Sequence, residues 1–153
     1  MPISIDDIKK LRVETGAGIA DCRKALEESG GDFGKAKELL AGWGLDKAAS
    51  KSDRVVGAGL VETYMHGGGK VGVMVEINCE TDFVARTDEF KALAHEVAMQ
   101  IAAMDPKDVK ELEKQEYIRD SSKTIGDLVK ETIAKVGENI VVKRFMRFEL
   151  GQG

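Results

Sequence analysis

Gly67-Gly68-Gly69 separates two runs of apolar residues with a period of two, and this stretch restricts the fold more than any other. Leu60-Val61-Glu62-Thr63-Tyr64-Met65 stands before it, and Val71, Val73, Val75 and Ile77 alternate after it. Glycine adopts positive φ without steric cost, so the triplet reads as a hairpin connection and its flanks as paired strands. Two strands with an apolar face are marginal in water, so cover has to come from the rest of the chain.

On both sides the period changes to that of a helix. Ser4, with Asp7 three residues on, predicts a capped helix from about Ile5 to Glu14, in which Ile5, Ile8, Leu11 and Arg12 recur at helical spacing. Thr15-Gly16-Ala17-Gly18 breaks it. A second helix from Ile19 to Glu28 places Ile19, Cys22, Ala25 and Leu26 on one side and stops at Gly30-Gly31. Asp32 caps a third, with Phe33, Ala36, Leu39, Leu40 and Trp43, which is expected to end at Gly44. Residues 1–45 therefore read as a three-helix domain. Lys47 to Arg54 lacks large apolar side chains, so 46–55 reads as a linker and 56–153 as the main domain.

Beyond the hairpin, Thr87 caps a long helix with an apolar stripe of Phe90, Leu93, Ala94, Val97, Ile101 and Met104, ended by Pro106. The charged segment Lys107 to Arg119 has helical character and little to bury. Thr124 and Asp127 open a further helix that Gly137 ends. Ile140 to Leu150 is a last strand, expected to carry Ile140, Val142, Met146, Phe148 and Leu150 on one face and Lys143, Arg147 and Glu149 on the other. The fold class is α+β: three N-terminal helices, then a three-stranded antiparallel sheet packed with helices. Its open edges and face are candidates for pairing with a second copy.

Between the second strand and the long helix runs Glu76-Ile77-Asn78-Cys79-Glu80-Thr81-Asp82-Phe83-Val84-Ala85-Arg86. A phenylalanine beside an aspartate in a short polar connection needs a cover for its ring, since loops run over the surface and Phe gains free energy by burial. The chain's own core and a partner surface are both open as that cover.

Charge narrows the partners. A formal net charge of −4 with both signs interspersed gives no broad attraction for nucleic acid or an anionic membrane. No apolar run reaches the length of a membrane span, and Met1 to Lys10 lacks a signal-peptide layout, so a cytoplasmic protein is expected. Cys22 and Cys79 read as reduced, packed thiols, and with His66 and His95 they show no paired metal-ligand spacing. No metal or cofactor is expected. An enzyme with Cys79 as nucleophile and His66 or His95 as base is a rival reading that needs those side chains adjacent in a cleft. A scaffolding module is a second rival. Gly16 and Gly18 follow no strand and precede no Lys-Ser/Thr, so they mark a turn between helices rather than a phosphate loop.

Two long blocks resemble the bacterial elongation factor Ts family. Leu11-Arg12-Val13-Glu14-Thr15-Gly16-Ala17-Gly18-Ile19-Ala20-Asp21-Cys22-Arg23-Lys24-Ala25-Leu26 is similar to its first signature, and Glu76 to Arg86 to its second. Lys135-Val136-Gly137-Glu138-Asn139-Ile140 looks like a third family block. The resemblance implies an N-terminal domain of ubiquitin-associated type and guanine-nucleotide exchange on elongation factor Tu, without covalent chemistry. It also implies a short form with a single core half that works as a homodimer. The segment between Pro106 and Thr124 is too brief for the helical hairpin usual there. By the same resemblance Asp82 and Phe83, flanked by Thr81 and Val84, enter the partner's G domain near its magnesium side. Arg12 and Ile19 align with an N-terminal contact patch, where the family often has a bulky apolar residue in place of Ala20. Val136 aligns with an apolar contact near the loop. His66 resembles a histidine of the second core half in long forms, which a second subunit would supply here.

Overall fold

The computed structural model describes residues 2–153. Helices α1 (Ile5–Thr15), α2 (Ile19–Glu28) and α3 (Phe33–Ser50) open the chain. Ser4 and Asp7 form the reciprocal capping box at the start of α1, and Gly16 ends it in the left-handed conformation at φ 73°. Ile8, Leu11, Cys22, Ala25, Leu26, Ala36 and Leu40 close a small core among the three helices. Ile5 stays outside it, exposed.

The third helix does not stop at Gly44. It runs on to Ser50, through the first half of the stretch read as a linker, and buries Ala48 in the core of the sheet domain. Gly44 reads as a stop because glycine favours helix ends. Here it serves a close approach: a Cβ at Gly44 would lie 3.4 Å from the Cβ of Ala134.

Strands β1 (Ala58–His66) and β2 (Val71–Cys79) form the expected hairpin, with Gly67, Gly68 and Gly69 all at positive φ. A last strand, here β5 (Ile140–Glu149), pairs antiparallel with the other side of β2, giving the order β1-β2-β5. Val73, Val75, Ile77 and Cys79 of β2 face inward. Helix α5 (Asp88–Met104) covers them with Phe90, Leu93, Ala94, Val97 and Ile101, and α7 (Ile125–Val136) adds Ile125, Val129 and Ile133. Thr87 and Thr124 cap these helices as expected.

Two further expectations fail in physically instructive ways. The apolar residues of β5 do not share a face. Ile77 pairs with Val142 but Glu76 pairs with Arg144, so Lys143 is an extra residue, and this bulge inverts the alternation beyond it. Ile140 and Val142 point into the core, whereas Met146 and Phe148 stand exposed on the opposite face. The segment after Pro106 also differs from a charged helix. It is a short helix α6 (Val109–Lys114) and then a small hairpin of β3 (Glu116–Tyr117) and β4 (Asp120–Thr124). Gln100, fully buried, holds that hairpin: its side-chain amide donates to the Glu116 carbonyl (3.0 Å) and accepts from Ile118 N–H (3.0 Å).

Candidate functional site

Asp82 to Ala85 form a single helical turn, α4, between the end of β2 and the start of α5. Thr81 caps it by accepting from Val84 N–H (3.4 Å), and Thr87 closes its far end by donating to the Val84 carbonyl (2.7 Å). Val84 and Ala85 turn inward and are buried in the sheet core. Asp82 and Phe83 point outward, and the Phe83 side is 84% exposed, so the chain's own core does not cover the ring. Of the residues expected at the site, Val84 is buried and tethers this turn.

The turn is clasped from the α7–β5 connection. Glu138 accepts from the Thr81 N–H at 3.0 Å and from its hydroxyl at 2.7 Å. In the reverse direction Glu80 accepts from Asn139 N–H at 2.6 Å. Asn139, itself buried, donates its side-chain amide to the carbonyls of Arg54 (3.0 Å) and Ser52 (3.4 Å), while the Arg54 guanidinium stands 3.6 Å from Glu80. Hydrogen bonds to a carboxylate are the stronger kind, and two of the three here hold backbone N–H groups. The blocks around Phe83 and Glu138 are thus halves of one clasp, a link that no local sequence signal reveals.

Cys79 lies directly beneath. Its thiol is buried, donates to the Thr81 carbonyl (3.2 Å), and is pushed up in pKa by burial and next by the Glu138 charge. These surroundings disfavour a thiolate, so they remove support from the nucleophile reading. Among the described residues no group of three or more His, Cys, Asp or Glu is placed to hold a metal ion. No described helix is long and apolar enough to cross a membrane.

The remaining candidates are spread. Arg12 and Ile19 are exposed on the N-terminal helices. Between them Val13, an apolar residue outside the Ile8–Leu11 stripe, is 87% exposed. Val136 is half-buried against the core just before the clasp. His66 is not near Phe83. It pairs with Val71 while Ala58 pairs with Cys79, so a strand length, about 26 Å at ~3.3 Å per residue, separates the two ends. There the His66 imidazole stacks on Tyr64 and its Nδ1 lies 3.1 Å from the Tyr64 hydroxyl.

The outer face of the sheet is apolar along its middle. The register lines up Thr63, Met74 and Met146, and beside them Met65, Gly72 and Phe148. Val61, Met65, Met74, Met146 and Phe148 are all exposed there. Toward the clasp the face turns polar: Glu76 accepts from Arg144 (2.9 Å) and from Asn78 (3.1 Å), and these hydrogen bonds, Asn78 first, hold its carboxyl below the usual range.

Comparison with known proteins fits this arrangement. The family model described as Elongation factor TS matches residues 80–153, which begin at Glu80 of the clasp. Elongation factor Ts of Coprothermobacter proteolyticus is 46% identical, over 99% of this chain and 100% of that protein. That of Thermotoga petrophila is 45% identical, over 100% and 98%. The chain belongs to the elongation factor Ts family. Its role is therefore that of a translation elongation factor. A third relative, Elongation factor Ts from a Thermoanaerobacter species, is 46% identical over 99% of this chain and 96% of its own length. The first alignment runs over 197 positions, against 153 residues here, so at least 44 positions of that elongation factor Ts have no counterpart in this one.

Proposed function

We propose that this protein is the guanine-nucleotide exchange factor of elongation factor Tu, and that the Asp82-Phe83 turn is the element that releases GDP. The exposed Phe83 ring on a clasped helical turn carries this reading. A folded chain gains nothing from leaving that ring in water, whereas a partner that buries it gains ~1.5–3 kcal/mol. If the slot for the ring opens only when the phosphate cradle of elongation factor Tu is distorted, that gain is a preference of about 10- to 150-fold for the distorted state. Asp82 competes beside it with the groups that order the magnesium ion. Nucleotide and exchange factor then weaken each other reciprocally. Thr81 positions the turn, Arg12 and Ile19 form a second contact on the N-terminal helices, and Val136 lines the apolar rim near the turn.

The N-terminal helices form a domain of ubiquitin-associated type in this reading, and the core domain dimerises. The apolar outer sheet face of Met65, Met74, Met146 and Phe148 supports a homodimer, since a face of this composition is stable when a second copy covers it. His66, remote from Phe83 of its own chain, then serves from the second subunit. In this reading the small hairpin between Pro106 and Thr124 stands in for a helical insertion of longer family members. Exchange by this route needs no cofactor, nucleic acid or membrane and proceeds in the cytoplasm. Release of fluorescent GDP from elongation factor Tu across a dilution series of this protein tests the reading: accelerated release that falls off on dilution to monomer supports it, and binding without acceleration refutes it in favour of a scaffold.

A further inference from the structure

Helix α7 lies between the N-terminal helices and the residue that grips the Phe83 turn. One flank packs on α3, where Gly44 meets Ala134 and the Lys135 side chain crosses the Gly16 turn, so close that a Cβ at Gly16 would stand 3.0 Å from Lys135 Cε. The C-terminal end of α7 leads within two residues to Glu138, which grips Thr81. Meanwhile α3 is one unbroken helix: its first half closes the N-terminal core with Ala36 and Leu40, and its second half buries Ala48 in the other core. Ion pairs of Lys37 with Glu14 and of Lys47 with Asp21 tie α3 to α1 and α2. The three N-terminal helices are thus joined to the packed α3–α7 pair through a continuous helix and two ion pairs rather than through a linker.

We infer that α7 is a strut that fixes the spacing between the Arg12–Ile19 patch and the Phe83 turn, and that Gly44 is the positioning residue that sets this spacing. The inference rests on the exchange-factor reading, because it concerns how that partner is engaged at two points. Two contacts held at a fixed spacing act as a single bivalent ligand, and the second binding event costs little further ordering. A larger side chain at Gly44 enters Ala134 and lifts α3, with α1 and α2 attached, away from α7. The patch and the turn then no longer reach the partner together. A methyl group at Gly44 is accommodated, since 3.4 Å from the Ala134 Cβ is at the near limit of ordinary contact.

The test is a double-mutant cycle between Gly44→Leu and Arg12→Ala, read as affinity for nucleotide-free elongation factor Tu. Gly44→Leu is expected to weaken binding about 10-fold or more by removing the linkage, and Gly44→Ala to leave it unchanged. Arg12→Ala is expected to weaken the parent several-fold, roughly, yet to have less than about a twofold effect in the Gly44→Leu background. An undiminished Arg12→Ala effect in that background overturns the inference. Phe83→Ala measured alongside separates the two levels: if it leaves exchange intact the functional reading fails, and if it abolishes exchange while the cycle is additive, only the strut fails. Should Gly44→Leu not fold, spin labels at Ala20→Cys and Arg86→Cys in the otherwise unaltered chain decide, the native thiols being buried. A single narrow distance is expected in the free protein, and a broad or multiple distribution overturns the proposal.

Discussion

Removing the clasp at Glu138 separates two effects that the geometry ties together, stability and the order of the Phe83 turn. Glu138→Ala deletes the acceptors for the Thr81 N–H and hydroxyl and leaves the reverse half, Glu80 on Asn139 N–H, in place. A hydrogen bond to a charged group contributes ~1.5–3 kcal/mol, but Thr81 is exposed and water replaces part of the loss, so ~1–2 kcal/mol in total is expected. For a chain of this size that lowers the melting temperature by about 2–8 °C. Glu138→Gln retains one acceptor and turns an amide donor toward the Thr81 hydroxyl, which can accept, so roughly half the loss is expected. Amide hydrogen exchange from Thr81 to Arg86 then accelerates by more than the change in global stability, because the α4 turn opens locally once one side is released. Thermal melts and exchange mass spectrometry of the two variants against the parent measure this. An unchanged melting temperature together with unchanged exchange in the turn would refute the role of Glu138 as its support.

Other consequences are as direct. Phe148→Asp places a charge in the middle of the exposed sheet face without touching either core, so sedimentation mass is expected to fall to that of a monomer while the melting profile of the monomer remains cooperative; an unchanged dimer contradicts that interface. Cys79→Ala keeps exchange activity, and the native thiol resists alkylation until the protein unfolds, since its burial disfavours the thiolate; loss of exchange with an intact fold would revive a nucleophilic role. Tyr117, buried and donating to Glu96 (2.7 Å), has its phenol pushed up to about 12 from 10, first by burial and then by that hydrogen bond. The unfolded chain therefore loses this proton at lower pH than the folded one, and the stability is full below pH 10 and drains as pH rises toward 12. Urea midpoints of the parent should fall more steeply across that window than those of Tyr117→Phe, and parallel slopes would exclude the linkage.

Much of this was legible because it is local. Ser4 with Asp7, Thr124 with Asp127, and Gly137 are caps whose partners lie within four residues, and the Gly67-Gly68-Gly69 hairpin needs only its own strands. The misread elements depend on distant partners. Gly44 mimics a helix stop until Ala134 is known to lie against it. The bulge at Lys143 arises from the pairing of β5 with β2, and a shift of one residue sends Met146 and Phe148 to the opposite face. The β3–β4 hairpin was hidden because its support, Gln100, is a polar residue within an apolar helix and looks like solvent-facing surface. At the site, Phe83 was conspicuous as an apolar residue in a connection, whereas Glu138 and Asn139, 57 and 59 residues from their partners, were visible only as part of a family block.

The exchange mechanism stands or falls on the outward pair of the α4 turn. Stopped-flow release of fluorescent GDP from elongation factor Tu, driven by the Asp82→Ala/Phe83→Ala double variant at matched concentration, measures it most directly. Both side chains are exposed, so the variant should melt within ~0.5 kcal/mol of the parent. The proposed mechanism predicts that release slows by at least about 10-fold, the lower bound set by burial of one ring. Release as fast as with the parent protein would contradict it.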